Sequence, residues 1–422
     1  MLKGSNVPTN PKNPNTMTQQ KLKVLYFDGA IAYGGTISLL KMLFKDFDRK
    51  EITPKLISAL PQSKLLEHFQ PNDIATSYTS NLSYVSKNKW NQITSRLPLP
   101  LHKLAAYLFT TASLLSNLPS TIKIFYTLAK ESPDILHINN SNTPLLAAYL
   151  LNIPVIWHFH GVPEKQSRWY KLLHSKISTY LSISDYIQHR AISSGYPEQK
   201  TITLHNPAPK PYKSQQTASA FFSLYNIKKE SIVISHIGRL ITWKGQLEFL
   251  RAFALAHKEN CNLHALIIGD DTEKFGSSYR TKLLQVVNEN NLTEKVSFLG
   301  QVNTPLEALS HSDIIVHSSL EPEPFGLVIT EAMSVGAAVI CSNKGAGQEI
   351  IENGISGIIC DPNNLQELKT NILNLAQDSV YRKSLSDNAL RRAQTVFSLE
   401  TYIYNLMKLY NSTLKTTIEK QS

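Results

Sequence analysis

Two carboxylates bracket an apolar turn in EPEPFGLVITEAM, Glu321–Met333: Glu323 and Glu331, with seven residues between them. The apolar positions from about Gly326 onward have helical spacing, so the spacing predicts a helix that starts inside the stretch. The first turn of a helix has unpaired N–H groups and the positive end of the dipole, which suit an anion. Glu331 lies about one turn in, too far along to cap that terminus. Its carboxylate can accept two hydrogen bonds side by side, the pattern a ribose diol offers. Glu323 precedes the helix, where it could meet a sugar ring rather than a phosphate. Acids are common in a first helical turn, and for Glu331 alone that ordinary reading wins. A second stretch changes the balance. Gly238-Arg239-Leu240-Ile241-Thr242-Trp243-Lys244-Gly245 follows an apolar run and sets a guanidinium and an ammonium between glycines. A planar fork and a compact charge together neutralise a diphosphate, and glycine allows close backbone approach.

These residues need elements to hold them. Lys23–Asp28, Asp134–Asn139, Val155–His160 and Tyr180–Ser184 read as buried strands in the first half. Ile232–Ile237, Leu263–Gly269, Val296–Leu299, Asp313–Ser318 and Ala337–Ser342 repeat the style in the second. Near-continuous Val/Ile/Leu runs between longer amphipathic stretches predict parallel sheets covered on both faces, hence an α/β chain of two doubly wound domains. Ligands of such sheets bind beyond the carboxyl ends of the strands, where both motifs lie. The boundary falls near NPAPKPYKSQQTA, 206–218, rich in Pro, Lys and Gln. The expected division is 1–20 a disordered lead-in, 21–206 a first domain and 219–397 a second. A closing helix at about 398–416 would return to the first domain.

The chain has 422 residues, and its balance of 42% hydrophobic and 18% charged residues is globular. Cys261, Cys341 and Cys360 are too few and too oddly numbered for a disulfide framework. They read as small buried thiols in a reducing compartment. The first twenty residues lack the apolar core of a signal peptide, and no apolar run is long enough to span a bilayer; a cytoplasmic protein is expected. The net charge of +11 lies wholly in residues 1–200, which hold 22 Lys and Arg against 11 Asp and Glu. That predicts an anionic partner, such as a phosphorylated substrate or a membrane face. No interleaved basic and aromatic motif appears, so nucleic acid is not expected. His102–Lys130 is rich in Leu, Ala, Tyr and Phe. Two helices covering the first sheet are the favoured reading, over a surface that leans on a membrane.

GRLITWKG, EPEPFGLVITEAM and GAGQEIIENGISG, in this order and at these intervals, resemble glycosyltransferase family 4. VSFLG and LIIGD resemble further segments of that family. The resemblance covers most of residues 230–365 and implies the GT-B fold, two Rossmann-like domains facing a cleft. It implies that Arg239 and Lys244 hold a donor diphosphate and that Glu331 binds the ribose hydroxyls. Glu323 would contact the donor sugar near the reacting carbon. Phe325, Gly326, Leu327 and Val328 would supply backbone groups to sugar and phosphate, and the region Gly300–Val302 would lie near the base. In the first half, DGAIAYGGTISLL has a glycine turn, Gly34-Gly35, like the family's turn beside donor phosphate and acceptor. IPVIWHFHG places His160 where the family has a histidine facing the donor sugar. His158, two residues earlier, reads as structural.

The only D-x-D triplet, Asp46-Phe47-Asp48, falls on an apparent helix and reads as a solvated face. No metal and no cofactor are therefore expected; cationic side chains and the helix start would do a metal's electrostatic work. The expected activity is retaining transfer of a hexose-type sugar from a nucleotide-diphospho-sugar to a glycan, lipid-linked or other hydroxyl acceptor, in cell-surface polysaccharide or glycoconjugate synthesis. Two other readings stand beside it: a nucleotide-sugar 2-epimerase, and a non-catalytic glycosyltransferase-like partner subunit.

Overall fold

The computed structural model describes residues 21–30, 34–78, 118–139, 141–165, 173–270, 277–302 and 304–419. The lead-in 1–20 and residues 102–117 of the apolar segment lie outside the described residues.

Strands β1 (Leu22–Asp28), β2 (Ile52–Ser58), β3 (Ile74–Ser77), β4 (Ile135–Asn139), β5 (Val155–Phe159), β6 (Ile177–Ser182) and β7 (Thr201–Thr203) form one sheet. Its order is β3-β2-β1-β4-β5-β6-β7, with every pairing parallel. Strands β8 (Ile232–Ile237), β9 (Leu263–Ile268), β10 (Val296–Gly300), β11 (Ile314–His317), β12 (Ala338–Ser342) and β13 (Ile358–Cys360) form a second. That sheet runs β10-β9-β8-β11-β12-β13, again parallel throughout. The composition of the strands explains this. β9, LHALII, is buried at every position, as a strand covered on both faces must be. Each sheet reverses its strand order once, between β1 and β4 and between β8 and β11, and these reversals open the crevices in which such sheets bind ligands.

Four strands escaped the sequence pattern, for physical reasons. β2, ITPKLIS, carries Pro54 and Lys55 in its middle. Proline removes a ladder donor and argues against a strand inside a sheet; the Lys55 ammonium finds Glu131 at 2.8 Å. β3, β7 and β13 are edge strands of three or four residues, too short to show a period.

The helix Leu399–Glu419 returns to the first sheet, where Tyr402, Leu406 and Tyr410 share a core with Val24, Tyr26, Leu39 and Phe44. The crossing segment between the sheets is tied down by Ala208 N donating to Phe397 O (2.8 Å) and Tyr212 N to Ser334 O (3.2 Å). The carboxyl ends of the sheets face each other. Ser184, just past β6, donates its hydroxyl to Pro324 O past β11, at 2.6 Å. A Cβ on Gly35, past β1, would stand 2.9 Å from Leu327 Cδ1.

One expectation about the cysteines fails. Cys341 and Cys360 are buried on β12 and β13, but Cys261 is exposed. It sits in the turn that leads into β9 rather than on the strand.

Candidate functional site

The loops after β8 and β11 flank the reversal point of the second sheet, and they meet there. Lys244 Nζ donates to Glu323 Oε2 at 2.6 Å, with both side chains mostly buried. The same oxygen accepts from Ser319 Oγ at 3.1 Å and lies 3.5 Å from His317 Nε2. Burial by itself would raise the Glu323 carboxyl, but the bond from His317 and the charge of Lys244 hold it down to about 2. Glu323 is thus a fixed anion. The Lys244 ammonium also sits 4.3 Å from the centre of the Trp243 ring.

Backbone geometry locks this pair in place. Gly245 has φ +77°, and a Cβ there would stand 1.9 Å from Ser318 O. Gly345 has φ +76°, and its Cβ would stand 2.3 Å from Glu323 O. Ala346 N donates to that carbonyl at 3.0 Å. The glycine loop after β12 is therefore a strap that holds the Glu323 backbone.

The helix Leu327–Ser334 begins as the spacing predicts, with Gly326 at φ +93° as its N-cap and no side chain capping it. Its first N–H groups are open to a ligand. Phe325 points the other way: it is 2% exposed and packs 6.3 Å from the Phe397 ring, so only its backbone is available to a ligand. Glu331, at the fifth helical position, makes no side-chain hydrogen bond or ion pair among the described residues. Burial pushes its carboxyl up to about 7. Arg239 is exposed, and its guanidinium is unpaired among the described residues. At the neighbouring strand ends, Gly269 N donates to Gly300 O at 2.8 Å and Gly238 N to Ile268 O at 2.9 Å. Gly300 (φ +65°) is thereby placed two strand ends away from Arg239, with open space where a Cβ would project.

Across the cleft, Gly34 is the N-cap of the helix Gly35–Asp46, in extended backbone with open space beside it. Gly35 lies against Leu327. His160, one residue past β5, bonds through Nε2 to Asn139 Oδ1 at the end of β4, at 2.7 Å. With Asn139 as acceptor, Nε2 carries the proton and Nδ1 keeps a lone pair. Burial lowers the His160 imidazole to about 3, so the ring is neutral. His158 is buried beneath it.

The two halves also grip each other directly. Glu349, in the strap after β12, accepts from Asp185 N and Tyr186 N at 2.7 Å each, capping the helix Asp185–Ser193 of the first half. It accepts from His205 Nε2 at 2.9 Å as well. Asp185, His205 and Glu349 are the one group of potential metal ligands among the described residues, within 4.8 Å of one another. Both Glu349 oxygens already serve backbone donors, so the cluster is a tie between the halves. Asp46 and Asp48 of the D-x-D triplet are exposed and bond to Lys210 Nζ and Lys50 N.

Sequence reasoning missed the polar residues that hold the site residues: His317, Ser319, Asn139, Ser184 and Glu349. Several were legible as a type. HIN at the end of β4 and HSS at the end of β11 put polar side chains on otherwise apolar, buried strands, where each requires a partner.

Known proteins resemble both halves of the chain. Residues 219–392 match the family model for glycosyl transferases group 1, and residues 90–209 match that for glycosyltransferase family 4. A capsular polysaccharide biosynthesis glycosyltransferase of Staphylococcus aureus, CapM, is 24% identical over 328 residues, 72% of this chain and 83% of the relative. The UDP-Gal:alpha-D-GlcNAc-diphosphoundecaprenol alpha-1,3-galactosyltransferase of Escherichia coli is 24% identical over 71% of this chain and 80% of its own. Among solved structures, Anabaena HepE in complex with UDP superposes with a TM-score of 0.73 at 22% identity, over 93% of this chain and all of that one. A glycosyltransferase from Rickettsia africae gives 0.77 at 20% identity, over 94% and 99%. The chain belongs to glycosyltransferase family 4 and has the GT-B fold.

Proposed function

We propose that this glycosyltransferase moves a hexose-type sugar from a nucleotide-diphospho-sugar to a hydroxyl of a glycan or lipid-linked acceptor, with retention at the anomeric carbon. One observation carries the reading. At the reversal point of the second sheet, a mostly buried Lys244–Glu323 pair stands with Arg239 and Glu331, neither of whose side chains has a partner among the described residues, around an uncapped helix start. Each group matches one part of such a donor. Arg239, Lys244 and the N–H groups near Gly326, Leu327 and Val328 take the diphosphate. Glu331 takes the ribose diol, and Gly300 flanks the base. Glu323 and the neutral His160 meet the sugar, the imidazole Nδ1 accepting from a sugar hydroxyl.

Transfer breaks the bond between the anomeric carbon and the diphosphate oxygen and forms one to the acceptor oxygen. The acceptor proton ends on the departing diphosphate. Charge builds on the leaving oxygen, and the fixed cations and helix N–H groups stabilise it as it forms. Glu323, held near 2 and committed to Lys244, Ser319 and His317, is a poor nucleophile. Attack from the face the diphosphate leaves suits that arrangement and gives retention. No step calls for a metal, because cationic side chains supply the charge.

HepE is solved with UDP and with UDP-glucose, so UDP-hexoses are the first donors to try. In the first half, the helix Leu118–Glu131 exposes Leu118, Ile122, Phe125 and Tyr126. Together with the basic first half, this favours a peripheral site on the cytoplasmic face of a membrane with a lipid-linked diphosphate acceptor. No described helix is long and apolar enough to cross one.

The test is product analysis. The protein is incubated with UDP-glucose or UDP-galactose and a short-chain prenyl-diphosphate glycan, and the product is examined by NMR. An α-linked disaccharide from an α-linked donor supports the reading. A β-linked product overturns retention, and an epimerised nucleotide-sugar formed without acceptor overturns transfer. Binding to anionic vesicles at low salt tests the membrane part, which falls if the protein stays in solution.

A further inference from the structure

Beneath His160 runs a seam of buried polar rings that the site as described leaves unused. Tyr410, on the closing helix Leu399–Glu419, places its hydroxyl 2.6 Å from that of Tyr26 on β1 and 2.8 Å from His137 Nδ1 on β4. His137 Nε2 lies 3.2 Å from His158 Nδ1 on β5. The His158 ring packs against His160, with centroids 4.2 Å apart. Tyr26, His137, His158 and Tyr410 are each at most 2% exposed. They line one face of the sheet, because Tyr26 pairs with His137 and Asn139 with His158 in register.

Such a seam is expensive for folding alone. Four ring polar groups taken out of water need partners, whereas Phe and Leu of similar volume would pack there without that demand. The chain also has a direction: it starts on the closing helix and ends at the residue past β5. In either sense of donation, the tautomer of each ring is set by its neighbour. A tethered His158 cannot rotate, so it presents a fixed ring face to His160. The bond from His160 Nε2 to Asn139 then fixes the other edge.

We propose that Tyr410 is a positioning residue for His160, acting through His137 and His158 to hold the imidazole in the orientation that leaves Nδ1 for the donor sugar. This rests on the reading of His160 given under Proposed function. The closing helix, which follows the second domain in sequence, thereby takes part in the first domain's half of the site.

The experiment is a double-mutant cycle on the full chain, with transfer from UDP-glucose or UDP-galactose as readout. Tyr410→Phe keeps the ring and removes the hydroxyl. The expected result is a fall in kcat of roughly tenfold, below the ~10²-fold cost of misplacing a group by an ångström, with donor KM unchanged. In a His160→Ala background the same substitution has no further effect on kcat. Equal fold-losses in both backgrounds, or no loss in the single variant, overturn the proposal. If Tyr410→Phe does not fold, His158→Gln carries the same cycle. If His160→Ala itself leaves transfer intact, the assignment of His160 falls, and the inference with it. If His160→Ala impairs transfer while Tyr410→Phe is silent, only the inference falls.

Discussion

The two walls of the cleft are built from opposite chemistries. The second-half wall is charged: Lys244 and Glu323 locked together, Arg239 unpaired among the described residues, and Glu331 under a burial penalty. The first-half wall is neutral: His160 is kept uncharged by burial and is backed by imidazole and phenol rings. The difference follows what each wall would meet. A diphosphate and its growing charge need fixed cations, which retain their strength in a partly dry site. A sugar is neutral, and uncharged hydrogen-bonding groups select it without attracting competing anions. The same contrast recurs across one turn into a helix, where Glu323 and Glu331 are held on opposite sides of their ordinary value by the presence and absence of partners.

The sharpest way to break the contrast is to remove a charge from the second-half wall. Lys244→Ala should lower kcat by about 10²–10³, the cost of losing one preorganised charge-stabilising group. It also strands the Glu323 carboxylate, at about 3 kcal/mol of stability. Lys244→Ala with Glu323→Ala should recover thermal stability but not transfer, a split that steady-state kinetics and calorimetry read together. Next in size is Gly345→Ala. Its Cβ would stand 2.3 Å from Glu323 O at φ +76°, so the strap must shift, costing about 1–3 kcal/mol of strain in denaturant unfolding.

Glu331→Ala should weaken UDP binding about 10- to 100-fold, the net scale of one hydrogen bond to a charged group. The pH dependence sharpens this. In the proposed site the ribose diol donates to the ionised carboxylate, and in the free protein burial raises that group to about 7. Binding should therefore be full above pH 7 and weaken as pH falls below it, while Glu331→Gln should lose that dependence. The raised value has the opposite effect on the unliganded fold. The carboxyl binds its proton more tightly folded than unfolded, so its contribution to stability is lost as pH rises from about 4.5 to 7. The smallest effect should come from Gly35→Ala. Its Cβ meets only the flexible tip of Leu327, at 2.9 Å; the cost should stay under ~1.5 kcal/mol and appear in KM.

The asymmetry of the walls also decided what the sequence could show. Arg239 and Lys244 were legible as cations set between glycines past a strand, and Glu323 and Glu331 as acids flanking an apolar turn and helix start once those cations stood beside them. The glycines that lock them were legible as loops but not as clamps, since only coordinates show Gly345 pressed on Glu323. The first-half wall was nearly silent. His137 and Asn139 share β4 but are far in sequence from Tyr410, which joins them only through a closing helix. The sheets followed the same division. Long apolar runs such as β8 and β9 announced themselves, whereas β2 was masked by Pro54 and Lys55.

In the proposed site, the reversal point of the second sheet holds a nucleotide diphosphate without a metal. Calorimetric titration of UDP and of UDP-glucose into the wild-type protein and Glu331→Ala, with EDTA present, tests it most directly. Binding by the wild type that the substitution weakens at least tenfold is the predicted result. Wild-type binding that appears only when a divalent cation is restored, or that is unchanged in Glu331→Ala, would contradict it.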